Sequence, residues 1–266
     1  MSVSQALGEQ REVKLEQGTI RYRERGSGEP VVLVHGVLVN GDLWRGVVPG
    51  LADQGYRCIV PDLPLGCHSP AVNADADLTP PGLARLIDDF MGALDLNGVT
   101  LVGNDTGGAL SQIVAVNHPE RLGRLVLTSC DAFEHFFPAM FKYLKVAAGV
   151  PGSIAMLSQS AKLRVIRRSP IAFGWLMKQD PPKEVLASWT DPLADKDVRR
   201  DVTKVLRAIH KRHTLDAAER LGGFHRPTLV AWAAADKVFP LADAEKLVQL
   251  LPDARLRTVQ DSLSFI

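Results

Sequence analysis

An apolar run, Val99-Thr100-Leu101-Val102, leads into Gly103-Asn104-Asp105-Thr106-Gly107, and the helix-forming residues Gly108-Ala109-Leu110-Ser111-Gln112-Ile113-Val114 follow directly. A G-x-nucleophile-x-G pattern between a strand and a helix describes a sharp elbow that lifts one side chain above the end of the strand. Here that side chain is Asp105. A carboxylate is expected to be ionised near neutral pH and needs no base to become nucleophilic, whereas a serine must first be deprotonated by a neighbour. The free N–H groups and the dipole of the helix N-terminus also favour the charged form. The pattern therefore points to displacement at carbon through an alkyl–aspartate ester. The plainer alternative is an N-cap aspartate that only starts the helix at Thr106-Gly107.

The rest of the chain alternates strand and helix patterns. Arg11 to Glu24 reads as a hairpin around Gln17-Gly18, and Pro30-Val31-Val32-Leu33-Val34 as a strand buried on both faces. A helix is expected from Asp42 to Gln54, a strand at Arg57-Cys58-Ile59-Val60, and an amphipathic helix from Thr79 to Leu94 with Pro80-Pro81 at its start. A strand follows at Arg124 to Thr128. From about Phe133 to Gly223 only helical patterns occur; the clearest runs from Val198 to His213, with Val202, Val205, Leu206 and Ile209 at helical spacing. Strand patterns resume at Thr228 to Trp232 and Arg255 to Val259, around a helix at Ala242 to Leu251. Such alternation implies a mostly parallel α/β sheet with right-handed crossovers. The expected division is a core over 1–131, a helical cap over 132–223, and the second part of the core, C-terminally short, over 224–266.

Composition narrows the classes. The 266 residues are 46% hydrophobic and carry a net charge of +1, which suits a soluble chain with a large core and argues against general affinity for nucleic acid or an anionic membrane. No apolar run is long enough to span a bilayer. Met1-Ser2-Val3-Ser4-Gln5 shows no secretory pattern, and the three cysteines, Cys58, Cys67 and Cys130, have no metal spacing, so reduced thiols in a cytoplasmic protein are expected.

Three features in order make the sequence resemble the α/β-hydrolase superfamily over nearly its whole length. They are Val34-His35-Gly36 after an early strand, the elbow at Asp105, and Trp232-Ala233-Ala234-Ala235-Asp236-Lys237-Val238-Phe239-Pro240 after a late strand. The resemblance implies an α/β-hydrolase fold with a sheet of the eight-stranded type, helices on both faces and an inserted cap. It implies oxyanion donation from the N–H groups of Val37 and Thr106, and a triad acid at Asp236, with Asp131 the weaker candidate. The aspartate elbow is similar to the branch that contains haloalkane dehalogenases, fluoroacetate dehalogenases and epoxide hydrolases. The halide-donating tryptophan of the dehalogenases is replaced here by Thr106 and their second donor by Val37. Fluoroacetate dehalogenases carry an arginine after the nucleophile that this chain lacks, and the paired cap tyrosines of epoxide hydrolases reduce to Tyr143. In the last loop, Asp261-Ser262-Leu263-Ser264-Phe265-Ile266, Ser264 stands where the family places its catalytic histidine. A shortened chain does not account for that serine, because the histidine position itself is present.

None of the seven histidines stands at the family position. His35 belongs to the oxyanion loop, His118 to a helix end, His210 and His213 to the cap, and His225 to the opposite edge of the sheet. His68 and His135 both follow strands on the Asp105 edge and are the candidates for a substitute base or a substrate contact, each against the plainer reading of a loop histidine. The chemistry requires a base only for attack of water on the ester. Two readings follow. One is a hydrolase of an apolar epoxide, halide or ester-like small molecule using Asp105; the other is a lyase, isomerase or small-molecule binding protein using the same pocket. No metal or organic cofactor is expected, and the expected state is monomer or homodimer.

Overall fold

The computed structural model describes residues 5–265. Two antiparallel strands, β1 (Glu9–Leu15) and β2 (Gly18–Arg25), open the chain. There follow β3 (Glu29–Val34), α1 (Val48–Asp53), β4 (Tyr56–Pro61), α2 (Pro80–Ala93), β5 (Val99–Asp105), α3 (Thr106–Asn117) and β6 (Leu122–Cys130). The helices α4 (Lys142–Ala147), α5 (Ser153–Ser160), α6 (Arg164–Arg167), α7 (Lys183–Thr190), α8 (Lys196–Ala208) and α9 (Arg212–Arg220) come next. The chain then returns to the sheet with β7 (Thr228–Ala233), α10 (Leu241–Leu250) and β8 (Ala254–Val259). The sheet has eight strands in the order β1-β2-β4-β3-β5-β6-β7-β8. β2 also runs antiparallel to β4, and the pairings from β4 onward are parallel.

Side-chain alternation builds a layer on each face. Val31 and Leu33 of β3 pack with Cys58, Val60, Trp44 and Val48, whereas Val32 and Val34 join Ile59, Leu101 and the buried stripe of α2 on the other side. That stripe, Leu83, Leu86, Ile87, Phe90 and Met91, has helical spacing. Thr79 caps α2 by accepting from the Gly82 N–H at 3.2 Å, and prolines occupy its first turn, where no N–H is needed. Each fully buried leucine or phenylalanine contributes roughly 2–3 kcal/mol relative to exposure. Cys58, Cys67 and Cys130 are buried free thiols.

The strand order decides where a ligand sits. From β3 the chain goes to β4 on one side and then returns to β5 on the other. The loops leaving β3 and β5 therefore diverge and open a crevice at the carboxyl ends of these two strands, the usual binding position in open α/β sheets. His35-Gly36 ends β3 and Asp105 ends β5.

Two helix expectations change in detail. Asp42 to Gln54 divides into a 3-10 turn (Gly41–Gly46) and α1, because Val47 and Pro49 interrupt the ladder. Val198 to His213 divides between α8 and α9 at Ile209, whose ψ of 121° leaves the helix. Ile209 stays buried, and its carbonyl accepts from Lys145 Nζ at 2.6 Å instead of from a helical N–H. The residues between β6 and β7 are tied to the core by buried polar contacts. Trp189 Nε1 donates to Asn40 Oδ1 at 3.0 Å, Ser188 Oγ to Asp42 Oδ2 at 2.9 Å, and Cys67 Sγ to the Trp189 carbonyl at 2.9 Å.

Candidate active site

Asp105 takes φ 54° and ψ −132°, a left-handed backbone for a side chain that gains no helix-capping bond from it. This differs from the usual N-cap arrangement, in which an aspartate has extended backbone and accepts from the second or third N–H of the helix. Held strain of this kind costs about 1–3 kcal/mol and persists only where the surroundings enforce it. Here two glycines do so. A Cβ on Gly107 would stand 2.5 Å from the His35 carbonyl oxygen, and one on Gly103 2.5 Å from the Gly107 carbonyl oxygen. The elbow thus packs α3 against the end of β3. On the other flank the Asp131 N–H donates to the Asp105 carbonyl at 3.3 Å.

The Asp105 carboxyl is buried, and burial raises its pKa to about 7; the Thr106 backbone N–H and hydroxyl oppose this, and the charge of Asp236 adds to it. The expectation of a fully ionised carboxylate is corrected accordingly. The Thr106 N–H at the helix N-terminus does stabilise the charge, but desolvation is the larger effect. Asp131 is also buried, and burial together with the Asp105 charge holds it well above the usual carboxylate range. Its Oδ2 accepts from Thr106 Oγ1 at 3.1 Å, so one hydroxyl stands between two carboxyls.

Asp236 follows β7 and is met by the last loop. Its Oδ1 accepts from the N–H groups of Val238 and Phe239, each at 2.8 Å, and from Ser264 Oγ at 2.9 Å. Ser264 is fully buried, and its carbonyl accepts from Asn104 Nδ2 at 2.8 Å. Asp236 Oδ2 is buried without a hydrogen-bond partner. Ser264 Oγ thus holds one oxygen of the Asp236 carboxylate. Asp131, the other candidate acid, is engaged by Thr106 and has no contact of this kind. Asn104 was missed by sequence reasoning. Its signal is its place in the motif: next to the apex in a strand, it points to the opposite side from Asp105 and can clamp the last loop.

The loop after β3 approaches closely. A Cβ on Gly36 would stand 2.6 Å from Asp105 Cγ, so only glycine lets this segment lie against the carboxyl. Val37 lines the same cavity as Asp105, and Thr106 begins α3 beside it, so both expected donors flank the carboxyl. His35 is structural. Its Nε2 accepts from the Leu63 N–H at 2.9 Å, which leaves Nδ1 to donate to the Gly36 carbonyl at 2.8 Å. Burial lowers its pKa to about 4, so it stays neutral.

Over Asp105 lies a cavity of about 120 Å³, walled by Phe137, Phe141, Leu144, Leu157, Phe173 and Trp189. Its size approaches that of an apolar cavity of about 150 Å³ that admits benzene. Tyr143 also lines it, but its hydroxyl donates to the Ile171 carbonyl at 2.7 Å. His68 and His135 are not among the lining residues. His68 is buried, with Nε2 3.1 Å from Asp201 Oδ2 of α8. The half-exposed His135 has Nδ1 2.5 Å from Asp243 Oδ2 of α10. The structure brings Asp105, Val37, Thr106, Asp131, Asp236 and Ser264 together and pairs both histidines with carboxylates elsewhere. Among the described residues no cluster of three metal-ligating side chains occurs.

This architecture, with an aspartate at the elbow after β5, the loop after β3 beside it and a second aspartate after β7, is that of an α/β-superfamily hydrolase. The chain belongs to the alpha/beta hydrolase fold family, whose model matches residues 29–266. It is 30% identical to a non-heme chloroperoxidase of Kitasatospora aureofaciens, covering 91% of this chain and 87% of the relative. It is 26% identical to haloalkane dehalogenase 2 of Mycobacterium bovis, covering 94% and 86%. Among solved structures it resembles the epoxide hydrolase CorEH with a TM-score of 0.76 and 19% identity, over 97% of this chain and 92% of that one, a likeness of fold alone.

Proposed function

We propose that the chain attacks an apolar electrophile through Asp105, opening an epoxide or displacing halide from an alkyl carbon, with an ester on Asp105 as product of the first step. The observation that carries this reading is Asp105 itself: strained, uncapped, and the carboxyl lining an apolar cavity. A carboxylate oxygen forms the new C–O bond while the carbon–halogen or epoxide C–O bond breaks, and the halide or alkoxide takes the electron pair. The N–H groups of Val37 and Thr106 face the charge that develops. The residues between β6 and β7 act as the cap that closes the apolar pocket. Water attack on the ester is the slow half, because Ser264 occupies the Asp236 bond and supplies no base.

One observation favours a second reading. A carboxyl with a pKa of about 7 suits general acid–base work on a carbon acid, as in a lyase or isomerase. The experiment that separates the two is intact mass after incubation with epoxides, haloalkanes and activated esters, with Asp105→Asn as control. The nucleophile reading expects an adduct on the wild type and none on the variant. Product without adduct points to a base elsewhere, with His68→Ala and His135→Ala as the next proteins. Neither adduct nor product across the panel rejects the nucleophile reading, and deuterium uptake by a carbon acid would then support the second.

A further inference from the structure

Of the nine large apolar side chains exposed among the described residues, seven lie between residues 146 and 171. Val165 is 86% exposed, Val146 72%, Met156 68% and Leu163 62%. The same stretch is chemically one-sided. Residues 135–179 contain seven lysines and arginines and no aspartate or glutamate. Carboxylates from outside the stretch answer only part of that charge. Asp180 is shared by Arg164, Arg167 and Arg168, Asp191 pairs with Lys162, and Asp261 with Lys178, which leaves a net charge of +4.

The segments are joined into one surface. Tyr143 of α4 holds the Ile171 carbonyl, and Arg167 of α6 donates to the carbonyls of Ala161 and Lys162 that follow α5. The surface is also continuous with the cavity over Asp105, since Ile166 and Ile171 are at once exposed and part of its wall. Apolar side chains standing among lysines and arginines that outnumber the acids match the chemistry of a lipid headgroup boundary. A second copy of this chain is a poor occupant, because two such faces would set cation against cation.

We propose that this face of the inserted helices docks on an anionic lipid surface, with the mouth of the cavity towards the lipid. The whole-chain charge of +1 averages over this asymmetry and has no bearing on it. Among the described residues no helix is long and apolar enough to cross a membrane, so the contact is peripheral. Docking needs no reaction at Asp105, so its test stands apart from the proposed chemistry.

The test is co-sedimentation of the full chain with vesicles of phosphatidylcholine alone or mixed with phosphatidylglycerol, at low and high salt. Partitioning is expected only into the anionic vesicles and is expected to weaken with salt. Neutralising two cations in Lys142→Gln/Arg164→Gln reduces it about 25-fold, at roughly fivefold per charge. Leu163→Asp/Val165→Asp reduces it more than tenfold, while Leu250→Asp, an exposed apolar position on α10, leaves it unchanged. Circular dichroism confirms that each variant is folded. The proposal is overturned if the wild type does not bind the anionic vesicles at low salt, or if the patch variants bind as it does. It is equally overturned if sedimentation shows the wild type self-associating through this face while the patch variants are monomeric.

Discussion

Replacing Asp105 by asparagine removes a buried titratable group, and the effect on stability is set by pH. In the unfolded chain Asp105 loses its proton near pH 3.9. In the folded chain it keeps that proton to about pH 7. Between these values the folded state binds more protons than the unfolded state, so stability falls as pH rises, by up to about 1.4 kcal/mol per pH unit. Stability from this group is fully present below pH 3.9 or so and lost by the time pH has risen through about 7. The accumulated loss is about three units times 1.36, or roughly 4 kcal/mol.

Asparagine has nearly the same shape and never ionises. Asp105→Asn is therefore expected to match the wild type near pH 4 and to exceed it by as much as roughly 4 kcal/mol at pH 8. For a chain of this size, at about 2 °C per kcal/mol, that is a melting temperature higher by roughly 8 °C. Scanning calorimetry of both proteins from pH 4 to 8.5 reads the difference. A gap that stays constant across the range, or a variant less stable at pH 8, would refute the argument that desolvation dominates at Asp105. Asp131→Asn gives an internal check. Because each carboxyl raises the cost of ionising the other, the double variant should gain less than the sum of the two single gains.

Three further outcomes follow from the geometry. Ser264→His sets an imidazole beside Asp236 and, on the proposed reading, should speed hydrolysis of the Asp105 ester about 10²–10⁴-fold, read as decay of the adduct in intact mass; an adduct that persists unchanged sinks this reading of Ser264. Gly107→Ala sets a methyl group against the Val34 and His35 carbonyls, and should either lower stability by more than about 3 kcal/mol in urea unfolding or leave no soluble protein, whereas a near-neutral result contradicts the packing of the elbow. Asp201→Ala strips partners from buried His68 and from the Val72 N–H, which donates at 3.0 Å, and should cost about 3–5 kcal/mol, with a loss below 1 kcal/mol showing that this tie between α8 and the core is dispensable.

The order of the strands, the hairpin, the elbow and the long helical stretch after β6 were legible in the chain. Each is a local pattern: a continuous apolar run in Val31 to Val34, helical spacing in α2, glycines at 103 and 107 around one turn. Ser264 could be singled out for the same reason, since its place relative to β8 is local. What Ser264 does was not legible. Its bond to Asp236 joins residues 28 apart, and the Asn104 clamp on its carbonyl joins residues 160 apart. The break at Ile209 was hidden because its apolar spacing continues while its carbonyl is taken by Lys145. His68 and His135 carried no mark of the carboxylates, on α8 and α10, that engage them. The pKa of Asp105 depends on how much water the surrounding elements exclude and on where Asp236 and Asp131 come to rest. Sequence by itself settled which residue tops the elbow and in what kind of sheet, because backbone sterics and side-chain period act over a few residues. Tertiary structure alone decided that this residue is desolvated and faces an apolar cavity, because desolvation and charge act between elements that only folding brings together.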